Sequence, residues 1–200
     1  ESNNQANKSI VISIWHSYYG STNTDILLDT VENRSLIRWQ QAQNLTRHIF
    51  VADTDSSINW SSLHSIGKNL SNETAMNDFE EIDFALNTTN STDSVNATFT
   101  LNGAPRNLTN FTVYGRVIVN VSVANSTNNS NFLTGILWDS SDPNLGQYNG
   151  TQDILFITKI NFKAEGAYGT YDYEIRVPAN LSRYVKPNSE DTVTFYTELN

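Results

Sequence analysis

The sequence contains no cysteine, which excludes a disulfide framework, a thiol nucleophile and a thiolate metal site. Basic residues are also scarce: 12 Lys plus Arg stand against 21 Asp plus Glu, for a formal net charge of −9 at pH 7. Without a basic cluster to meet phosphates, nucleic acid is not expected as a partner. No stretch approaches the ~18 apolar residues that a membrane-spanning helix needs, so no membrane span is expected.

Charged residues are few, at 16% of the chain, against about 25% in typical globular domains. Hydroxyl and amide side chains must therefore supply much of the solubility. The 38% hydrophobic content, with 4 Trp, 9 Tyr and 9 Phe, is too high for a disordered chain. We expect a folded protein that depends on core packing and backbone pairing.

Residues that usually carry catalysis or bind metals form no recognisable motif. The three histidines lie far apart and in no metal-ligand spacing, and no Gly-x-Ser-x-Gly sequence is present. Carboxylates cluster at residues 53–55, 78–83 and 139–142, but nothing indicates two of them flanking one glycosidic bond. We expect a protein that is not an enzyme and that has no cofactor and no resident metal.

Two local features keep alternatives open. Asp139, Asp142 and Asn144 could surround a calcium ion, although a plain turn fits the same residues better. Lys159 lies among apolar residues of a strand-like run, and a buried lysine needs a partner. It could pair with a carboxylate or form an isopeptide bond with an Asn or Asp side chain.

The most abundant pattern is Asn-x-Ser/Thr, the acceptor sequence for N-linked glycans. It accounts for 16 of the 27 asparagines, whereas random placement would give roughly six. The enrichment favours a heavily N-glycosylated surface over chance composition. The candidate glycan carriers are Asn7, Asn33, Asn44, Asn59, Asn69, Asn72, Asn87, Asn90, Asn96, Asn107, Asn110, Asn120, Asn125, Asn128, Asn149 and Asn180.

Period-two alternation of apolar and polar residues dominates the chain and predicts strands. The clearest run, Asn110–Ala124, is interpreted as one strand with Asn110 and Asn120 facing outward. Its inward residues would be Phe111, Val113, Val117, Val119, Val121 and Val123. The same test places Asn96 outward if Ala97, Phe99 and Leu101 point inward.

Further strands are predicted at Thr46–Ala52, Glu80–Leu86, Asn131–Asp139, Asp153–Ala164, Thr170–Val177 and Asp191–Leu199. The run from Ile154 is apolar on both faces and predicts a central, doubly covered strand. A few helical turns are allowed at Ser35–Leu45 and Glu73–Glu81. Short strands between turn signals indicate an all-β fold, an antiparallel β-sandwich or jelly roll. We divide the chain into an N-terminal arm, residues 1–20, and one β-sandwich domain, residues 21–200.

The arm contains a compact β-forming run, Ile10–Trp15, after a polar opening. It could be the first strand of its own domain. Alternatively, it could be a donor strand that completes the sheet of a neighbouring subunit, with backbone hydrogen bonds for affinity and alternate side chains in pockets. Each buried isoleucine contributes about 2 kcal/mol before ordering costs. A head-to-tail exchange does not close and therefore produces a filament. The segment Tyr18–Asn23 could serve as a hinge.

Together, the absence of cysteine, the repeated sequons and the arm Ile10–Trp15 resemble the subunits of archaeal surface filaments. The resemblance is to the glycosylated thread filaments of Sulfolobus-type thermoacidophiles. It implies a β-rich extracellular subunit that forms a head-to-tail homopolymer by donor-strand complementation and carries covalent N-glycans. The donor strand would be Ser9–Trp15, with Ile10, Val11, Ile12, Ile14 and Trp15 as its inserted residues. Because the chain begins at Glu1, we also expect that a signal peptide has been removed.

Two other interpretations start from the aromatic residues. Trp15, Trp39, Trp60, Trp138, Tyr18 and Tyr19 could stack on sugar rings, which would make the protein a monomeric cell-surface glycan-binding or envelope-associated module. Packing in core and loops explains most of them better. The run Ile12–Gly20 also looks like the opening of sugar-binding proteins of ABC importers. Those proteins alternate strands and helices, which the rest of this chain does not.

Overall fold

The computed structural model describes residues 14–22, 26–29, 35–39, 47–52, 58–67, 78–126, 130–141, 148–178, 181 and 194–198, with backbone alone for 26–29 and 35–39. The strands are β1 (Trp15–Gly20), β2 (Ile26–Asp29), β3 (Ser35–Trp39), β4 (His48–Ala52), β5 (Leu63–Ser65), β6 (Thr100–Leu101), β7 (Ala104–Pro105), β8 (Leu108–Val113), β9 (Arg116–Asn125), β10 (Leu133–Asp139), β11 (Ile154–Lys159), β12 (Ala164–Gly166), β13 (Gly169–Tyr171), β14 (Tyr173–Pro178) and β15 (Thr194–Thr197). The helices are α1 (Asp78–Ala85) and α2 (Val95–Phe99), and a 3₁₀ turn spans Trp60–Ser62.

The fold is mostly antiparallel β-structure, which confirms the predicted fold class. Its main sheet has the strand order β15-β4-β11-β10-β9-β8, and β5 pairs with the far end of β10. A separate two-stranded ribbon, β1 with β14, packs against this sheet. The remaining short pairs are β2-β3, β6-β7 and β12-β13.

The central strand β11 is apolar on both faces and is buried on both, as the sequence predicted. Ile154 and Phe156 belong to one apolar cluster, whereas Leu155 and Ile157 belong to the other. This strict alternation follows from the pleat, which sends successive side chains to opposite faces. Each large side chain fully buried there contributes about 1.5–3 kcal/mol of transfer free energy.

Two different layers cover the two faces of the main sheet. The first face is covered by the β1-β14 ribbon together with both helices, which bury Trp15, Phe79 and Phe99 against it. The second face is covered by the curled β8-β9 hairpin, whose Phe111 and Val121 lie in the second cluster. The result is a sandwich with β11 and β10 at its centre.

The run Asn110–Ala124 is not one strand, and this prediction was wrong. It is a hairpin of β8 and β9, turning at Tyr114 and Gly115, both with positive φ. A bulge follows: Asn120 has φ 58°, and two residues of β9 lie opposite one residue of β8. The turn and the bulge each change whether the odd-numbered or the even-numbered residues point inward. Phe111, Val113, Val121 and Val123 are therefore buried as predicted, but Val117 and Val119 are exposed.

Two predicted segments have the opposite secondary structure. Glu80–Leu86 is mainly helical because Phe79, Ile82 and Leu86, at helical spacing, are buried together. The helix allowed at Glu73–Glu81 is present only from Asp78 onward in the described residues. Ser35–Leu45 begins with β3 rather than a helix.

Asn96 lies in the short helix α2 rather than in a strand. Asn96 was expected to face outward, with its neighbours Ala97, Phe99 and Leu101 facing inward. Phe99 is buried, but Ala97 and Leu101 are exposed. The other strand predictions overlap β4, β10, β11, β13, β14 and β15. The predicted Asp153–Ala164 strand ends at Lys159, and Ala164 opens β12 instead.

Candidate functional site

The sequon asparagines of the described residues all have access to solvent. Six are exposed and three are half-buried, so none would need to unfold its surroundings to carry a sugar. Exposure does not distinguish the sequon asparagines from other asparagines, because the non-sequon residues Asn102, Asn131 and Asn161 are exposed too. The exposed sequon residues are Asn59, Asn87, Asn90, Asn107, Asn110 and Asn125, and the half-buried ones are Asn96, Asn120 and Asn149.

Two sequons share one hydrogen-bonded geometry. At Asn59 the side-chain Oδ1 accepts from the Ser61 amide at 3.2 Å and from its hydroxyl at 2.6 Å. At Asn149 the same oxygen accepts from the Thr151 amide at 3.2 Å and hydroxyl at 2.6 Å. This Asx turn leaves Nδ2, the atom that a glycan would be attached to, outside these bonds.

Two further sequons face each other at the bulge of the β8-β9 hairpin. The backbone N–H of Asn120 donates to Oδ1 of Asn110 at 3.1 Å. Asn120 takes the left-handed conformation there, which asparagine tolerates better than most residues. The Asn110 side chain therefore stabilises the bulge. Sugars on this hairpin would lie along the β8 end of the main sheet.

The N-terminal arm enters the fold at Ile14. The Ile14 amide donates to Asp93 Oδ2 at 3.2 Å, and Trp15 Nε1 donates to the Asp93 carbonyl at 2.7 Å. The Trp15 ring packs edge-on against Phe99 and Phe156 of the same chain. The last two residues of the predicted donor strand are thus anchored in their own subunit.

The remaining donor residues, Ile10, Val11 and Ile12, lie outside the described residues, so the donor strand as such stays a prediction. The predicted hinge begins within β1, because Tyr18–Gly20 pair with β14 in register.

The main sheet ends at two edge strands, β15 and β8, and the described part of the chain places no strand beyond either. On β15, Phe195 points to the first face, where it meets Tyr18 edge-on at 5.3 Å, and is 43% exposed. Tyr196 points to the second face and packs on Trp60. The two clusters therefore both extend to the β15 edge and are incompletely covered there. Edge strands of this kind are open to pairing with another chain.

A buried polar contact holds β15 in place, and no sequence motif predicted it. His48 Nδ1 and Glu198 Oε2 lie 2.6 Å apart, and the other carboxylate oxygen accepts from the Tyr114 amide at 2.8 Å. Both side chains are buried. Burial lowers the pKa of His48, although the Glu198 hydrogen bond acts in the opposite direction. The contact ties β15 to β4 and to the hairpin turn.

The aromatic candidates for sugar stacking include residues packed within the protein and residues exposed to solvent. Trp15 and Trp138 are buried, Trp60 is half-buried, and Tyr18 contacts Phe195. Tyr19 is 51% exposed and stacks on Tyr168, which is 63% exposed. The side chain of Trp39 lies outside what the structure describes.

The two alternatives for calcium and an isopeptide bond gain no support. Both carboxylate oxygens of Asp139 accept backbone N–H groups, from Asn59 and Ser141, while Asp142 and Asn144 lie outside the described residues. Lys159 is exposed, with Nζ 5.3 Å from the centre of the Phe111 ring, so the premise of a buried lysine was wrong. Within the described ranges, no three His, Asp or Glu residues group as a metal site would require, and none of the helices is long and apolar enough to cross a membrane.

Comparison with protein-family models, with curated proteins and with solved structures found no match for this chain.

Proposed function

We propose that this protein is a glycosylated structural subunit of an extracellular filament, polymerised by insertion of its N-terminal segment into the next subunit. The observation that carries the proposal is the β15 edge, beyond which the described part of the chain places no strand and where Phe195 and Tyr196 continue both apolar clusters to the rim of the sandwich. A segment with alternating isoleucines would pair with this edge and cover both aromatic rings.

The β15 edge suits this role better than the β8 edge. The β8-β9 hairpin carries Asn110 and Asn120, and sugars there would obstruct an incoming strand. No sequon falls within β15. We therefore assign the acceptor to β15 and the glycan cover to the hairpin at the other end of the sheet.

We take the donor segment to be Ser9–Ser13, because Ile14 and Trp15 are held by Asp93 in their own subunit. In an extended strand, Ile10 and Ile12 would share one face of this segment and Val11 would lie on the other. Their insertion would remove an exposed edge and generate an open, head-to-tail polymer.

Electron microscopy of the native protein and of two arm variants tests the proposal. Ile10→Asp with Ile12→Asp is expected to abolish filaments while leaving a folded monomer. Asn3→Asp with Asn4→Asp adds the same charge to the arm without removing apolar contacts, and should preserve filaments. Filaments that persist in the isoleucine variant would refute insertion of this segment.

The acceptor edge is tested in the same way. Phe195→Asp should prevent polymerisation because it places a carboxylate beside the inserted strand. Phe84→Asp is the matched control, since Phe84 is 77% exposed on α1, away from β15. Equal filament yields from both variants would exclude β15 as the acceptor.

A second function, glycan binding by a monomeric module, is favoured by one observation. Tyr19 and Tyr168 form an exposed aromatic stack with ring centres 5.2 Å apart. Aromatic faces of this kind can bind sugar rings. Saturable binding of a neutral oligosaccharide that is lost in Tyr168→Ala but kept in Phe84→Ala would support this function; absence of binding would remove it.

A further inference from the structure

An open cavity of about 400 Å³ lies between α2, β9 and β14, at the point where the N-terminal arm enters the fold. This volume is within the range of small-molecule sites, about 300–1,000 Å³. Two arginines line it: Arg106, which precedes β8, and Arg176, from β14. In a chain with only 12 basic residues, two cations on one cavity are a concentration of positive charge.

Arg176 is held by neutral groups, and Asp93, on the same cavity, is the carboxylate whose charge acts on it. Its guanidinium carbon lies 4.5 Å from the centre of the Trp15 ring, and Nη1 donates to the Asn125 carbonyl at 3.3 Å. Its Nε is buried and has no hydrogen-bond partner in the described part of the chain. Burial lowers the pKa of Arg176, while the charge of Asp93 raises it.

Arg106 is also oriented by neutral groups. Its Nε and Nη2 donate to the Thr98 carbonyl at 3.0 and 2.8 Å, at the end of α2. Within the described ranges, neither arginine lies within ion-pairing distance of a carboxylate. Both guanidinium groups are therefore positioned by neutral groups, and together they place two positive charges on the cavity against the single carboxylate of Asp93, which favours an anionic ligand.

The other groups on the cavity distinguish a sugar from a simple anion. Thr92 and Thr98 place hydroxyl-bearing side chains on it, and Asp93 adds a carboxylate. A carboxylate repels an inorganic anion but accepts hydrogen bonds from sugar hydroxyls. Two sequon asparagines, Asn107 and Asn125, stand on the same cavity, so a glycan attached to either would begin at its rim.

We propose that this cavity, which we call the arginine cavity, binds an acidic saccharide unit: its carboxylate would meet Arg106 and Arg176, and its hydroxyls Asp93 and the threonines. The saccharide could belong to the protein's own glycans or to a separate molecule. This inference is independent of the filament proposal, because neither β15 nor the donor residues take part.

The test uses glucuronate and glucose as probes, titrated calorimetrically into the full-length chain from its native source. Where the cavity is not already filled by the protein's own glycan, glucuronate is expected to bind saturably and at least about tenfold more tightly than glucose, since one charge-assisted hydrogen bond suffices for that ratio. Arg106→Gln should weaken glucuronate binding by a similar factor. Arg47→Gln, a change at an exposed arginine outside the cavity, should have no effect.

A second variant keeps the test decisive if Arg106→Gln disturbs α2. Ala97 is exposed and lines the cavity, so Ala97→Glu adds a carboxylate to the lining without removing any packed group. It should abolish glucuronate binding, whereas Ala97→Gln, of the same size, should weaken it less. Saturable glucuronate binding that is unchanged by Ala97→Glu would overturn the proposal. Inorganic sulfate that competes as well as glucuronate would also overturn it, because the site would then recognise charge alone.

The two sources of the saccharide give different results. Thr109→Ala with Thr127→Ala removes the sequons of Asn107 and Asn125 and keeps both asparagines that line the cavity. If the protein's own glycan fills the cavity, glucuronate binds to this variant but not to the wild type. If the ligand is a separate molecule, both bind. Failure of both to bind glucuronate excludes the site.

Discussion

The stability of this protein should increase as the pH falls from neutral toward about 4.5, because of one buried carboxylate. Asp78 opens α1 and is 3% exposed. Burial raises its pKa from 3.8 to about 6, with a further increase from Glu81, while hydrogen bonds from the Gly67 and Tyr148 backbones lower it. Its Oδ2 has no hydrogen-bond partner in the described residues.

The sign and size of the effect follow from linkage. Because the native pKa of Asp78 is higher than the unfolded value, the native state binds this proton more tightly. The stabilisation is complete below the unfolded pKa and is lost as the pH rises through about 6. One pKa unit corresponds to about 1.36 kcal/mol, so full ionisation costs about 3 kcal/mol, of which about 2 kcal/mol is recovered at about pH 4.5.

The assay is urea denaturation of wild type and Asp78→Asn between about pH 4.5 and 7.5. The amide cannot ionise, and comparison of the two proteins cancels the contributions of all other titrating groups. The difference in their unfolding free energies should change by about 2 kcal/mol across this range. Glu81→Gln should reduce the change, whereas Glu80→Gln, on the same helix, should not. Parallel stability profiles for wild type and Asp78→Asn would refute the reasoning.

Two further substitutions test the core and the β15 attachment. Gly135→Ala should destabilise the fold by about 1–3 kcal/mol, because its Cβ would lie 2.9 Å from a Phe111 ring carbon and 3.0 Å from Ile157; an unchanged melting temperature would contradict this packing. Glu198→Gln should cost about 2 kcal/mol and accelerate hydrogen exchange at Tyr114, whose amide loses its charged acceptor. Unchanged exchange at that amide would show that Glu198 does not anchor the hairpin turn.

The strands β4 and β11 of the main sheet could be predicted because their apolar residues are buried on both faces of the sheet. β11 is the clearest case, since Ile154–Ile157 are buried on both sides. The β8-β9 hairpin could not be divided correctly by alternation alone. Its turn places Tyr114 at φ 46°, which tyrosine rarely adopts, and the bulge at Asn120 adds a second change of parity.

The helix α1 was missed for a different reason. The apolar residues of Glu80–Leu86 fit both the two-residue period of a strand and the 3.6-residue period of a helix. The segment is a helix because this conformation buries Phe79 and Ile82 against the sheet. Asp83 then accepts the amides of Val95 and Asn96, which fixes α2 beside α1. Contacts of this kind join residues far apart in the chain, so local pattern does not contain them.

The candidate functional residues also divide into those that local sequence predicts and those that depend on contacts between distant segments. The sequon asparagines could be named from spacing alone, and all of those described reach solvent. The open β15 edge, the Glu198 contact and the arginine cavity arise only when distant segments meet. Arg106 and Arg176 are 70 positions apart in the sequence, and no motif links them.

The measurement that tests the filament account most directly is a mixing experiment. The variant with Asp at Ile10 and Ile12 can still accept a strand, and Phe195→Asp can still donate one. Each variant alone should be monomeric by light scattering, and the mixture should form 1:1 dimers that grow no further, because each dimer lacks both a second donor and a second acceptor. A mixture that stays monomeric would contradict exchange between residues 9–13 and β15.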